Sequence, residues 1–263
     1  MNKFLYSILI SSSLLSCKKE KVDIQKPTKT EQIYAENNYG QIGVTEKIGL
    51  KIYSDSSYLY VKFKQDYDNS EKIERYTGKF KIINDTMLFF PSNFKLNNST
   101  KAVIKNNFVE FVDGKFPLKI EIKTNAQKSK NNLNFEKFKD YAVFTFNEKH
   151  YGSRYYGYKP NSIKPYDLKQ TELEEVDNIV KKCFVENNSE LRNMNDYVKQ
   201  CIPIINAKQE VEVWISCYCK GNHVNENYKY FTIRMHDGGN CNIHFKINLT
   251  KHAYSELNIA GDA

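Results

Sequence analysis

The stretch VEVWISCYC, Val211 to Cys219, alternates without a break. Successive side chains of a strand point to opposite faces, so Val211, Val213, Ile215, Cys217 and Cys219 share one face and Glu212, Trp214, Ser216 and Tyr218 the other. Two more runs, Lys229 to His236 and Cys241 to Leu249, alternate in the same way. Upstream, Leu173, Val176, Ile179, Val180, Cys183 and Phe184 recur at helical spacing behind a Thr171/Glu174 capping box. A second helical face joins Leu191, Met194, Tyr197, Val198 and Cys201 and stops at Pro203. Residues 171–263 therefore read as an α+β domain, with helices packed on a three-stranded antiparallel sheet whose cysteine face points inward.

The turn Asp237-Gly238-Gly239-Asn240 fixes the expected register. A three-residue loop over 237–239 sets Met235 opposite Cys241 and Ile233 opposite Ile243, because a slip of one residue would flip every side chain, and such loops want a left-handed residue. The outer face then gathers Trp214, Tyr218, Tyr230, Arg234, His244 and Lys246. With Trp214 near Arg234, a cation–π pair is expected. Aromatic and Arg side chains together are what interface centres use. This face is the candidate binding face, open to a partner or else covered by residues 148–170 or the first domain.

The spacings Cys217-x-Cys219-x₃-His223 and His236-x₄-Cys241-x₂-His244 suggest a metal. The pleat argues against it: cysteines point in and strand histidines out, whereas ligands must converge to within about 2.3 Å of one ion. No metal or other cofactor is expected. Beyond Cys17 five cysteines remain, an odd number. Cys217 and Cys219 have parallel side-chain directions, and a meander puts Cys241 several rows from Cys217. Cys183 and Cys201 are the expected disulfide, with Cys217 or Cys219 as alternative partners across the core. There is no GxSxG, HExxH or P-loop, and His236-Asp237 beside the glycines reads as a surface pair, so no catalytic residue is assigned.

Residues 31–147 show period two with short turns. Leu59, Val61 and Phe63 alternate with Tyr58, Tyr60, Lys62 and Lys64; Tyr76 to Ile83 and Met87 to Phe90 flank Asn84-Asp85; Asn107 to Val112 and Pro117 to Lys123 flank Asp113-Gly114; Tyr141 to Phe146 closes the region. This is a mostly antiparallel β meander, either an open sheet or a small barrel. Residues 124–134 are polar and read as a loop. Residues 148–170, with Tyr151, Tyr155, Tyr156 and Tyr158, read as a Tyr-rich connector packed on one domain.

The chain has 263 residues, 27% of them charged, and a formal net charge of +8. Its lysines are interspersed with acids, which describes a solvated surface and gives no reason to expect a nucleic-acid partner. The start, MNKFLYSILISSSLLSC, has one early positive charge and a short apolar core, a secretory signal layout. Leu14-Leu15-Ser16-Cys17 resembles the lipobox of bacterial lipoproteins. That resemblance implies a signal peptide over 1–16, acyl chains on Cys17 and, since no Asp follows Cys17, delivery to the outer membrane, periplasmic or surface-facing. Residues 17–30 suit a lipidated flexible stalk.

The pieces YVKQCIPIINAK (197–208), VEVWISCYC, DGGNC (237–241), INLT (247–250) and LNIAGDA (257–263) resemble the C-terminal module of small uncharacterised lipoproteins of Gram-negative bacteria. This implies an exported helix-plus-sheet domain and brings no catalytic residues. The expectation is a lipid-anchored cell-envelope binding protein without catalytic activity, whose partner is a protein or an envelope polymer. Within the same class it could be an inhibitor or immunity protein; a small-ligand carrier would use an unfilled interior of the first domain, and an enzyme would need titratable groups converging in one pocket.

Overall fold

The computed structural model describes residues 29–41, 44–90, 97–125, 131–151, 162–221 and 226–261. The signal segment 1–16, Cys17, residues 18–28 of the stalk, residues 152–161 with Tyr155, Tyr156 and Tyr158, and His223 lie outside the described residues.

Eight strands follow one another in the first half: β1 (Glu31–Gln41), β2 (Val44–Tyr53), β3 (Ser57–Gln65), β4 (Glu71–Ile83), β5 (Thr86–Phe90), β6 (Lys101–Lys105), β7 (Phe108–Phe111) and β8 (Leu118–Asn125). Each pairs antiparallel with the next, and β8 returns to β1 with Ala35 opposite Ile122, closing a barrel. The tight turns come from residues that tolerate positive φ: Asn84 and Asp85 at 49° and 62°, Asn106 and Asn107 at 51° and 65°. Gly78 lies where β4 passes β5; a Cβ there would sit 2.0 Å from the Phe90 carbonyl oxygen. Every second side chain points inward, and the interior is filled. Ile33, Ala35, Leu50, Ile52, Tyr58, Tyr60, Phe89 and Ile120 are all buried in one cluster, with Tyr58 edge-on to Phe89 at 5.1 Å.

The second half is a six-stranded mixed sheet. Its path is β10 (Lys164–Pro165), β11 (Tyr197–Ile205), β12 (Val211–Cys219), β13 (Asn242–Asn248) and β14 (Ala253–Ile259), with β9 (Tyr141–Val143) running parallel to β11. Among the described residues there are two α-helices, the single turn α1 (Glu148–Tyr151) and α2 (Gln170–Glu186). The α2 residues Leu173, Val176, Ile179, Val180, Cys183 and Phe184 pack against Val213, Ile215, Cys217, Ile243 and Phe245. The other sheet face carries Val198, Ile202, Trp214 and Tyr218 beneath Phe144, Phe146, Tyr151 and Tyr228.

The α+β expectation, helices on a three-stranded antiparallel sheet, is thus corrected to a mostly β chain. The stretch from Leu191 to Cys201 is not a helix. After a 3-10 turn over Met194–Asp196 it becomes β11, whose residues Tyr197 to Ile204 are buried. A strand covered on both faces reads as a continuous apolar run, and its spacing cannot be told from a helix. Pro203, which lacks a donor, sits where the partner of β11 changes from β9 to β10. Residues 229–236 are not a strand between β12 and β13 either. Those two pair directly, Tyr218 opposite Asn242 and Ser216 opposite His244. The expected register of Met235 with Cys241 therefore does not form; Gly239–Cys241 make a 3-10 turn, with Gly238 and Gly239 at φ 109° and 53°. Tyr141 to Val143, expected to close the first unit, belongs to the second sheet.

The outward side of β7 and β8 forms the seam between barrel and sheet. Glu110 and Lys119 are cross-strand partners and both are buried. The Glu110 carboxylate accepts from the backbone N–H of Thr145 at 2.6 Å and its hydroxyl at 2.9 Å. Lys119 Nζ donates to the Val143 carbonyl at 2.9 Å and lies 4.1 Å from the Phe144 ring centroid. Burial pulls its pKa from 10.5 down to about 8, and the charge of Glu110 opposes that fall.

Candidate functional site

Between β12 and β13 lies a long excursion, whose described residues 226–241 come back over the sheet as a strap. Its backbone meets a neighbouring strand only briefly, where Phe231 bridges Leu118 of β8 and the Lys119 N–H donates to the Tyr230 carbonyl at 2.7 Å; side chains satisfy much of the rest, as buried polar groups require. Gln200 Nε2 donates to the carbonyls of Tyr228 (2.8 Å) and Phe231 (2.9 Å), while its oxygen accepts from the Ile233 N–H (2.9 Å). Tyr218 donates to the Ile233 carbonyl at 3.1 Å. Asn242 donates to those of Met235 (3.0 Å) and Asp237 (2.9 Å).

Both ends of the excursion are tied by a disulfide between Cys219 and Cys241, with Cα atoms 4.7 Å apart. Cys183, Cys201 and Cys217 are buried and unpaired, so the pairing expected of Cys183 with Cys201 is not formed. The reason is the strand order. With β13 directly beside β12, Cys241 lies opposite Cys219, a neighbour that a three-stranded meander would have put out of reach.

Strap, sheet and α1 line an open cavity of about 490 Å³. Four of the six residues expected on the binding face line it: Tyr218, Arg234, His244 and Lys246. The other two do not. Trp214 is 2% exposed, set edge-on to Phe146 at 5.7 Å and donating its Nε1–H to Glu212 at 2.6 Å. Tyr230 is 7% exposed and sits edge-on to Phe108 of the barrel. The face is therefore covered, by residues 142–151 and by the strap. The Trp214–Arg234 cation–π pair gives way to a contact of Arg234 with His150, Nη2 to Nδ1 at 2.9 Å.

The cavity also takes in residues the sequence reading missed as site residues. His150 comes from α1, Ser216 from β12, Thr232 and His236 from the strap, and Glu256 from β14. The alternation puts Ser216 on the right face, but nothing in it marks Ser216 off from its neighbours; His150 belongs to a segment with no period to place it.

The electrostatics are uneven. Lys246 is matched by Glu256 at 2.6 Å. Arg234 has no carboxylate partner among the described residues, and its charge adds to the burial that holds the pKa of His150 below the ordinary 6.5. Burial alone lowers that of His244. Both rings are neutral at pH 7, which leaves Arg234 as the unbalanced charge of the wall. Ser216 Oγ and His244 Nδ1 are 2.9 Å apart, the geometry of a nucleophile beside a base. Among the described residues no carboxylate bonds the far side of the ring, the orienting group such a pair needs. Nor do the described residues contain a cluster of three or more potential metal ligands. Comparison with protein-family models, with curated proteins and with solved structures returns no match.

Proposed function

We propose that the protein is a lipid-anchored binding protein of the cell envelope without catalytic activity, tethered at the outer membrane through acyl chains on Cys17. In this reading it engages a group of a protein or envelope polymer in the cavity under the strap. The observation that carries the reading is that cavity, about 490 Å³ and walled by a disulfide-closed strap with an unbalanced Arg234. Its size falls in the range of ligand sites. The lipobox-like Leu14-Leu15-Ser16-Cys17 supports the tether, and the Cys219–Cys241 disulfide suits an oxidising, exported setting. A carrier role in the first domain is not favoured, because side chains fill the barrel.

Two measurements test it. Intact mass of protein isolated from envelopes is expected to start at an acylated Cys17; a chain that still starts at Met1, unacylated, would remove the tether. Crosslinking in detergent-solubilised envelopes is expected to join one partner to wild type and to Lys208→Glu, but not to Arg234→Glu. Equal crosslinking by all three would overturn the cavity as the binding site.

A further inference from the structure

Arg234 is the charge of the cavity that contacts among the described residues leave without a carboxylate. Its guanidinium carries five donors in a planar fork suited to a carboxylate. In this cavity it meets a neutral imidazole, itself a poor counter-charge for a cation. The one acidic side chain of the lining, Glu256, is already engaged by Lys246. Thr232 Oγ1 stands 3.4 Å from His150 Nε2 and Ser216 Oγ lies against His244, so hydroxyl donors flank the same space. Part of the wall is apolar, with Ile202, Ile233, Met235 and Leu257. One positive charge, hydroxyl donors and an apolar wall in a space this size complement an acid head on a short apolar body.

We propose that the cavity binds a carboxylate attached to an apolar group, with Arg234 as its anchor. This inference rests on the binding-protein reading above and names the group that is bound. Two sources present that chemistry, a free amphiphilic acid and the C-terminal carboxylate of a peptide ending in a hydrophobic residue. The guanidinium bonds the carboxylate oxygens, the hydroxyls of Ser216 and Thr232 rotate to donate, and the apolar body displaces water from Ile202, Met235 and Leu257.

Isothermal titration of the mature, disulfide-intact protein tests it with matched probes: 4-phenylbutyrate, its amide and 4-phenylbutylamine, and N-acetyl-Ala-Leu as free acid and as C-terminal amide. A charge-assisted bond is worth about twice a neutral one, so at least one acid is expected to bind roughly ten- to hundredfold tighter than its amide. The amine is expected not to bind. Whichever acid binds tighter identifies the source. Arg234→Gln is expected to reduce acid and amide to similar affinity with an unchanged melting temperature, and Arg234→Lys to recover part of the difference. Amide or amine binding as well as acid, or acid binding undiminished in Arg234→Gln, would overturn the proposal while leaving a binding cavity in place. No acid binding at millimolar concentration would overturn it too, and the crosslinking experiment then decides separately whether the cavity engages a partner.

Discussion

Replacing Gln200 by Leu should detach the strap while leaving the sheet intact. Gln200 is buried, and its amide makes three hydrogen bonds to strap backbone, to the carbonyls of Tyr228 and Phe231 and from the N–H of Ile233. Leucine keeps most of the volume but satisfies none of them. At roughly 1 kcal/mol net per bond, the strap loses about 3 kcal/mol. The loss should be local, because the strap keeps its ties through Tyr218, Asn242 and the disulfide and its anchorage on the barrel through the Lys119 N–H to Tyr230 carbonyl bond and the Tyr230–Phe108 contact, while the β11–β12–β13 ladder holds without it. Amide hydrogen exchange reads this directly. The Ile233 N–H should exchange about a hundredfold faster, since about 1.4 kcal/mol is a factor of ten, while amides of β12 such as Ile215 keep most of their protection. An unchanged Ile233 rate would refute the bonding scheme. Equal acceleration at Ile215 would show that the strap is not a separate unit, and the account of the cavity wall would fail.

Three further outcomes follow from the same contacts. Glu110→Gln should cost about 3 kcal/mol by leaving the Lys119 charge in the seam without its carboxylate, whereas Glu110→Gln combined with Lys119→Met should cost at least 2 kcal/mol less than the sum of the singles, roughly; urea unfolding followed by Trp214 fluorescence measures the cycle, and additivity would contradict the coupling. Removing the disulfide with Cys219→Ser and Cys241→Ser should cost about 3 kcal/mol, the loop entropy for its sequence separation of 22, and should weaken acid binding; unaltered denaturation and binding would count against the clamp. Stability should also depend on pH in two windows. His150 and His244, with lowered pKa values, contribute stability that is fully present above 6.5 and lost as pH falls below it. Lys119, lowered from 10.5 to about 8, makes the folded state gain as pH rises between those values, so wild type should gain about 3 kcal/mol on Lys119→Met over that range; a flat difference would mean that Lys119 is not buried as a cation.

What the sequence disclosed, and what it hid, follows from how each element is covered. Helix α2 has one wet face, so its apolar spacing is visible, and its six buried residues are those read from the sequence. Even there the start differs: Glu172 accepts the Lys169 N–H at 2.7 Å in place of the Thr171/Glu174 box. Asn84-Asp85 announces its hairpin because positive φ selects few residues. By contrast β11 is covered on both sides and carries no alternation, so chance spacing of Leu191, Met194 and Tyr197 passed for a helix. The strap alternates because Ile233 and Met235 pack on the sheet while Arg234 and His236 stand exposed at the rim of the cavity, which imitates a strand with no more ladder than the single Phe231–Leu118 bridge; the side-chain partners of its backbone, Gln200, Tyr218 and Asn242, reveal the difference. The disulfide stayed hidden because it depends on β13 lying beside β12. The cavity was half legible for the same reason: Tyr218, His244 and Lys246 are fixed by the pleat, whereas His150 arrives from a segment with no period.

Histidine imidazoles give the most direct view of the cavity. The chain has five histidines, and three of them, His150, His236 and His244, line it, whereas His252 meets Glu175 of α2. With ¹³C-labelled histidine and 4-phenylbutyrate as titrant, the signals of His150 and His244 should move together and saturate, those of His252 should stay, and Arg234→Gln should abolish the movement. Saturable shifts at His252 with none at His150 and His244 would place the ligand elsewhere and contradict the account.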